Sequence, residues 1–213
     1  MKLETWLRMT KIPFEMRSLT SRPKSRTGKV PYIERDDGSL LSDSSAIIEV
    51  LREERGVTLD DHLSPEQRAT ATLLQRTFEE HLYWVAVHDR WLVNANWKLT
   101  KQAYFGTLPA ALRWFVPDLV RAQVRRDAIG QGLARLPQSE RDARARRDLQ
   151  AIATLLGEGE YFFSKPSSID AVAYAFLSNV LHVPLDTELE AIASEYDNLA
   201  QYTRRMKARY YGD

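Results

Sequence analysis

The sequence predicts a mostly helical protein in which a small α+β amino-terminal section precedes an all-α carboxy-terminal bundle. Two observations carry that reading. Strand-like patterning is confined to the residues up to Leu41, and from Ser64-Pro65-Glu66-Gln67 onward apolar residues recur almost throughout at helical spacing. A chain of 213 residues with 44% hydrophobic and 28% charged residues can bury a sizeable core and has an ordinary globular composition.

The elements follow in order. Leu3, Trp6 and Leu7 share one helical face within Lys2 to Thr10, and Pro13 ends that pattern. Phe14 to Leu19 then alternates like a strand, and the polar stretch from Thr20 to Lys29 reads as an exposed loop. Val30 to Glu34 predicts a strand, Asp36-Asp37-Gly38 supplies a turn able to hold a positive φ, and Leu40-Leu41 begins the return strand. Ser42 to Ser45 offers capping residues before Ala46, Ile47, Val50 and Leu51, which predict an amphipathic helix ending near Gly56. Residues 57–63 form a linker, dividing the chain into domains of residues 1–56 and 64–213.

Ser64-Pro65-Glu66-Gln67 is a capped helix start. Beyond it, Leu74, Phe78, Leu82 and Val85 form one apolar stripe, and Trp84, Val87, His88 and Trp91 form a second. Further helices are predicted from Pro109 to Arg126 with a kink at Pro117, from Gln138 to Leu156, from Ser167 to Leu181, and from Asn198 to Tyr211.

Composition excludes several function classes. Lys plus Arg exceed Asp plus Glu by one, so no global charge argues for nucleic acid or membrane. There is no cysteine, hence no disulfide framework, no thiolate nucleophile and no Cys-X-X-Cys pair; sulfur chemistry would need an external thiol. Lys2, Glu4 and Arg8 interrupt any secretory core at the amino terminus, which makes a cytoplasmic location the expectation. The longest stretch without Asp, Glu, Lys or Arg, Ala171 to Leu185, is too short for about 30 Å of hydrocarbon and predicts a buried helix. His81 and His88 lie two helical turns apart, roughly 10 Å, too far to share one metal ion, so no metal is expected.

Lys29-Val30-Pro31-Tyr32 followed by Asp43-Ser44-Ser45-Ala46-Ile47-Ile48 resembles the glutathione-site core of the glutathione S-transferase superfamily. Ser167-Ser168-Ile169-Asp170, heading a nearly all-apolar helix, resembles the capping motif of that superfamily's central carboxy-terminal helix. Lys2 to Met9, Glu79-Glu80-His81-Leu82-Tyr83-Trp84 and Arg90-Trp91 are similar to blocks of its metaxin-like branch, which includes the failed-axon-connections proteins. The resemblance covers nearly the whole chain. It implies a thioredoxin-like amino-terminal domain lacking its first strand, with Met1 falling just after that strand and translation expected to start upstream. The loop after it carries the family's thiolate-stabilising Tyr, Ser or Cys, so the catalytic residue is unknown here.

The resemblance further implies glutathione as ligand or co-substrate, a small apolar electrophile as its partner, and a homodimer. In that frame Val30, before a cis proline, presents its backbone N–H and C=O to the cysteinyl backbone of glutathione. Asp43 and Ser44 stand at a helix start, where free N–H groups and the positive dipole end favour the γ-glutamyl carboxylate. A plain helix cap is the other reading of Asp43 and Ser44. Lys29, with Lys24 and Arg26, would attract the glycyl carboxylate or remain solvated surface. Trp84, His88 and Trp91 suit the wall of an electrophile pocket or ordinary interhelical packing. Ser167 and Asp170 form a structural capping box without a catalytic role. Arg113, Arg121, Arg125 and Arg126 beside Trp114, Phe115 and Val116 could lie on an anionic membrane, but a solvated helix face is the preferred reading. The competing function class is a non-catalytic interaction protein that keeps the fold without the chemistry.

Overall fold

The computed structural model describes residues 1–19, 23–25, 28 and 30–212. Helix α1 (Lys2–Met9) buries Leu3, Trp6 and Leu7, and Glu4 pairs with Arg8 at 3.0 Å one turn later, acid toward the start and base toward the end. It closes with Ile12 N–H donating to the Leu7 carbonyl at 3.0 Å, while Lys11 takes the left-handed conformation at φ 56°.

Strands β1 (Tyr32–Glu34) and β2 (Leu40–Ser42) pair antiparallel with Tyr32 opposite Ser42. The turn between them holds Gly38 at φ 80°, and Asp37 accepts from the Ser39 amide at 2.8 Å, as the Asp-Asp-Gly sequence predicts. Among the described residues the sheet has these two strands alone. The strand expected from Phe14 to Leu19 does not form: the segment carries no regular secondary structure and no ladder partner among the described residues, and Met16 is 70% exposed. Two-residue alternation marks strand potential, but a strand exists only where a neighbour takes its backbone groups. Helix α2 (Ser44–Glu54) follows and buries Ile47 and Leu51; Val57 N–H then closes onto the Arg52 carbonyl across Gly56, whose φ is 59°.

The capping box predicted at Ser64 is present, Gln67 N–H donating to Ser64 Oγ at 3.2 Å and Ser64 N–H to Gln67 Oε1 at 3.0 Å. It opens α3 (Pro65–Arg76), which continues through a π-helical turn (Thr77–Leu82) into α4 (Tyr83–Val87) and a second π-helical turn (His88–Leu92). The predicted stripe Leu74, Phe78, Leu82 and Val85 is buried, each 4% exposed or less. Helix α5 (Asn94–Phe105), which the sequence pattern did not separate, comes next. The helix expected from Pro109 to Arg126 is instead two: α6 (Ala110–Arg113) and α7 (Val116–Gln131), parted at Phe115 with φ −124°. Pro117 does not kink a continuous helix. It sits in the first turn of α7, where a missing N–H has no intrahelical carbonyl to lose.

Helices α8 (Gln138–Leu156), α9 (Ser168–Leu181), α10 (Glu188–Ser194) and α11 (Asp197–Tyr211) complete the bundle. The larger core joins Leu74, Phe78, Leu82, Leu149, Ile152, Leu177 and Leu199, among others. A second core joins Leu3, Trp6, Leu7, Ile47 and Leu51 to Ala171 of α9. Helix α9 therefore lies between the two cores, and α1 packs along it. No helix among the described residues is long and apolar enough to cross a membrane.

Candidate functional site

The start of α2 is the centre of the candidate site. Asp43 adopts φ 75° and turns its carboxylate back, Oδ1 accepting from Ser45 N–H at 2.9 Å and Ala46 N–H at 3.1 Å. Asp43 thus caps the helix, the simpler of its two readings. Ser44 is half-buried, and its hydroxyl makes no hydrogen bond with another described residue. The Val30–Pro31 bond is cis, and Val30 is 62% exposed. The hairpin ladder stops at Tyr32 opposite Ser42, so Val30-Pro31 on one side and Asp43-Ser44 on the other are the segments that directly flank its last pair. Lys29 and Arg26 lie outside the described residues, and Lys24 is exposed.

The sequence reading missed a polar network beside the start of α2. Lys2 Nζ donates to Ser45 Oγ at 2.8 Å and pairs with Glu79 at 2.5 Å, while Gln75 Nε2 donates to Ser45 Oγ at 3.1 Å and to Glu79 at 2.8 Å. The Lys2 side chain is 14% exposed and that of Glu79 28%, so the pair is largely withdrawn from solvent. One signal was available in the sequence: a lysine in the first turn of a helix opposes the helix dipole unless an acid elsewhere answers it.

The three positions expected at an electrophile pocket are placed separately. Trp84 meets Tyr83 edge-on at 5.5 Å and packs against the larger core. Trp91 stacks on Trp97 at 5.5 Å and Tyr104 at 5.6 Å. His88 Nδ1 lies 3.5 Å from Asp89 and is buried with no hydrogen-bond partner among the described residues. No ring contact among the described residues joins Trp84 to Trp91. His81 turns elsewhere, its Nδ1 at 2.5 Å from Asp148 in an open groove with Thr77, Arg144 and Arg147. No group of three or more His, Asp or Glu able to hold a metal occurs among the described residues.

Ser167 and Asp170 lie at the start of α9 as the capping motif requires. Asp170, fully buried, accepts from Ser167 N–H at 2.9 Å, Ser167 Oγ at 3.0 Å, Phe162 N–H at 3.2 Å and the Tyr202 hydroxyl at 3.1 Å. Burial pushes its carboxyl above the ordinary range, and these hydrogen bonds oppose that shift. Asp60, in the stretch read as a plain linker, accepts from Ser168 N–H at 2.7 Å and Ser168 Oγ at 2.6 Å, and Trp6 Nε1 donates to the same hydroxyl at 3.0 Å.

Comparison with known proteins places the family. Residues 1–96 match the glutathione S-transferase N-terminal domain and residues 145–206 the glutathione S-transferase C-terminal domain. The chain is 30% identical to the isoprene-epoxide–glutathione S-transferase of a Rhodococcus species, over 98% of this chain and 90% of that protein. It is 26% identical to metaxin-1 of Macaca fascicularis over 97% of this chain and 68% of that protein. Failed axon connections of Drosophila melanogaster is likewise 26% identical, over the full chain and 54% of its own length. A crystal structure of a glutathione S-transferase from Methylobacterium radiotolerans, in complex with glutathione sulfonate, shares the fold with a TM-score of 0.58 at 18% identity, over 99% of this chain and 86% of that one. The chain belongs to the glutathione S-transferase superfamily, in its metaxin-like branch.

Proposed function

We propose that this protein binds glutathione at the edge formed by Val30 and the start of α2. The observation that carries the reading is that Val30-Pro31 and the start of α2 both flank the last pair of the hairpin, and that the Ser44 hydroxyl makes no hydrogen bond with another described residue. The γ-glutamyl carboxylate meets Ser44 and the first-turn amides, the Val30 backbone pairs with the cysteinyl unit, and Asp43 holds the turn in shape. Lys2 and Glu79 add a cation and an anion beside Ser45, matching the zwitterionic end of the tripeptide. Lys29 serves the glycyl carboxylate.

The associated reaction is conjugation to a small apolar electrophile, with an epoxide suggested by the name of the Rhodococcus relative. The thiolate sulfur attacks a ring carbon, the C–O bond opens, and the alkoxide takes a proton. Half-buried Trp84, His88 and Trp91 are the proposed electrophile wall, and the working form is a cytoplasmic homodimer. Retention on immobilised glutathione tests the binding reading, with Ser44→Ala expected to weaken affinity at least about fivefold. Passage of the wild-type chain through the column without delay would overturn it.

A non-catalytic interaction protein is the second reading, favoured by kinship with metaxin-1 and failed axon connections, whose names carry no transferase activity. Glutathione binding without turnover of any epoxide tested would select it.

A further inference from the structure

We propose that Glu79 makes the site selective for thiols that carry a free α-amino group, while Lys2 holds the carboxylate on the same carbon. The proposal rests on the glutathione reading above and assigns the charged head of that ligand to two side chains far apart in sequence.

A γ-glutamyl head bears an ammonium and a carboxylate on one carbon, so a site that recognises it needs an acid and a cation side by side. At the start of α2 the acid nearest in sequence is Asp43, but its Oδ1 is spent on the Ser45 and Ala46 amides. A second carboxylate reaches the same helix start from 77 positions beyond Lys2: Glu79 Oε1 meets Lys2 Nζ at 2.5 Å, and Lys2 Nζ also donates to Ser45 Oγ at 2.8 Å. Ser45 directly follows Ser44, the residue proposed to meet the γ-glutamyl carboxylate.

Both partners keep capacity for a ligand. Lys2 has three N–H donors and uses two, on Ser45 and Glu79. Glu79 accepts one bond on each oxygen, from Lys2 and from Gln75 Nε2 at 2.8 Å, where a carboxylate can accept about four. A zwitterion laid across the pair sets its carboxylate against Lys2 and its ammonium against Glu79, so that charges alternate around four corners. With the two side chains only 14% and 28% exposed, these attractions are screened less than at an open surface.

A purely structural bridge accounts for the pair less well. Desolvation offsets most of the attraction within an ion pair withdrawn from water, so the net gain in stability is small. Lys2 opposes the dipole of α1 from its first turn, and Glu79 projects from a π-helical turn, a departure from α-helical bonding that is frequent at functional sites. A ligand that completes the square of charges explains both features.

Calorimetric titration with glutathione and with glutaryl-cysteinyl-glycine, which lacks only the α-amino group, tests the proposal. The wild-type chain should prefer glutathione at least about tenfold. Glu79→Gln, close in shape, should remove that preference by weakening glutathione alone, whereas Lys2→Met should weaken both ligands, since both keep the carboxylate. A merely structural Glu79 would instead lower both affinities together and leave their ratio unchanged, which would overturn the proposal. So would equal wild-type affinity for the two ligands, or a preference abolished by Asp43→Asn and kept by Glu79→Gln. Circular dichroism checks that each variant is folded; if Glu79→Gln is not, Glu79→Asp takes its place, with the preference expected to fall at least about threefold and an unchanged preference counting against the assignment. Failure of the wild-type chain to bind either ligand would overturn the glutathione reading itself, and this inference with it.

Discussion

At the scale of single residues, Asp170 concentrates more of the fold than any catalytic candidate. Four donors converge on a carboxylate that is 0% exposed, so Asp170→Ala leaves the amides of Ser167 and Phe162 buried without an acceptor. The expected loss is at least about 3 kcal/mol by urea titration; Tyr202→Phe, which removes one donor, should cost about 1.5 kcal/mol. Near-equal losses from the two substitutions would contradict this division. Tyr210 and Tyr211 offer a pH test, because burial holds each phenol up at about 12. A folded value above the unfolded one of about 10 means their contribution is complete below about pH 10 and is lost as pH rises toward 12. Stability should fall across that window, and spectrophotometric titration should find these two among the last of the nine tyrosines to ionise. Site legibility in the sequence divides along similar lines. Ser44 and Asp170 stand in local motifs and could be read, whereas Lys2, Gln75 and Glu79 meet at Ser45 through tertiary packing that no spacing encodes.

Elements were legible where local chemistry fixes them. The capping box at Ser64, the Asp-Asp-Gly turn and the apolar stripe from Leu74 to Val85 all hold, because each depends on neighbours within a few residues. The Phe14 segment and the α6–α7 break were misread for the complementary reason: a strand requires a distant partner, and a proline inside a helical pattern does not reveal whether it bends one helix or begins another. The π-helical turns flanking α4 likewise leave no period in the sequence; the second of them offers Trp91 to the aromatic cluster formed by α5. Ser64→Ala tests the capped start, with an expected cost of about 1 kcal/mol and little change in glutathione retention, since Ser64 serves α3 alone. A collapse of retention would show that α3 positions Gln75 and Glu79 less rigidly than the packing implies.

For the whole molecule, the proposed glutathione edge is only as firm as the contact between the two cores. Ala171, fully buried, is the α9 residue that joins the smaller core, and Trp6 reaches from α1 to Ser168, which Asp60 grips in turn. Ala171→Leu should therefore cost about 1–3 kcal/mol by overpacking and also weaken glutathione binding from a distance, by displacing α1 and with it Lys2. Lowered stability with unchanged affinity would show the two to be independent. The position of α9 between both cores has a further consequence for how opening of the molecule can be watched. Its amides from Ala171 to Leu177 have no local route to solvent, so their deuterium uptake waits on separation of the two halves or on global unfolding. Exchange along this one helix thus becomes a clock for the whole chain, and glutathione bound at the proposed edge of α2 should slow it.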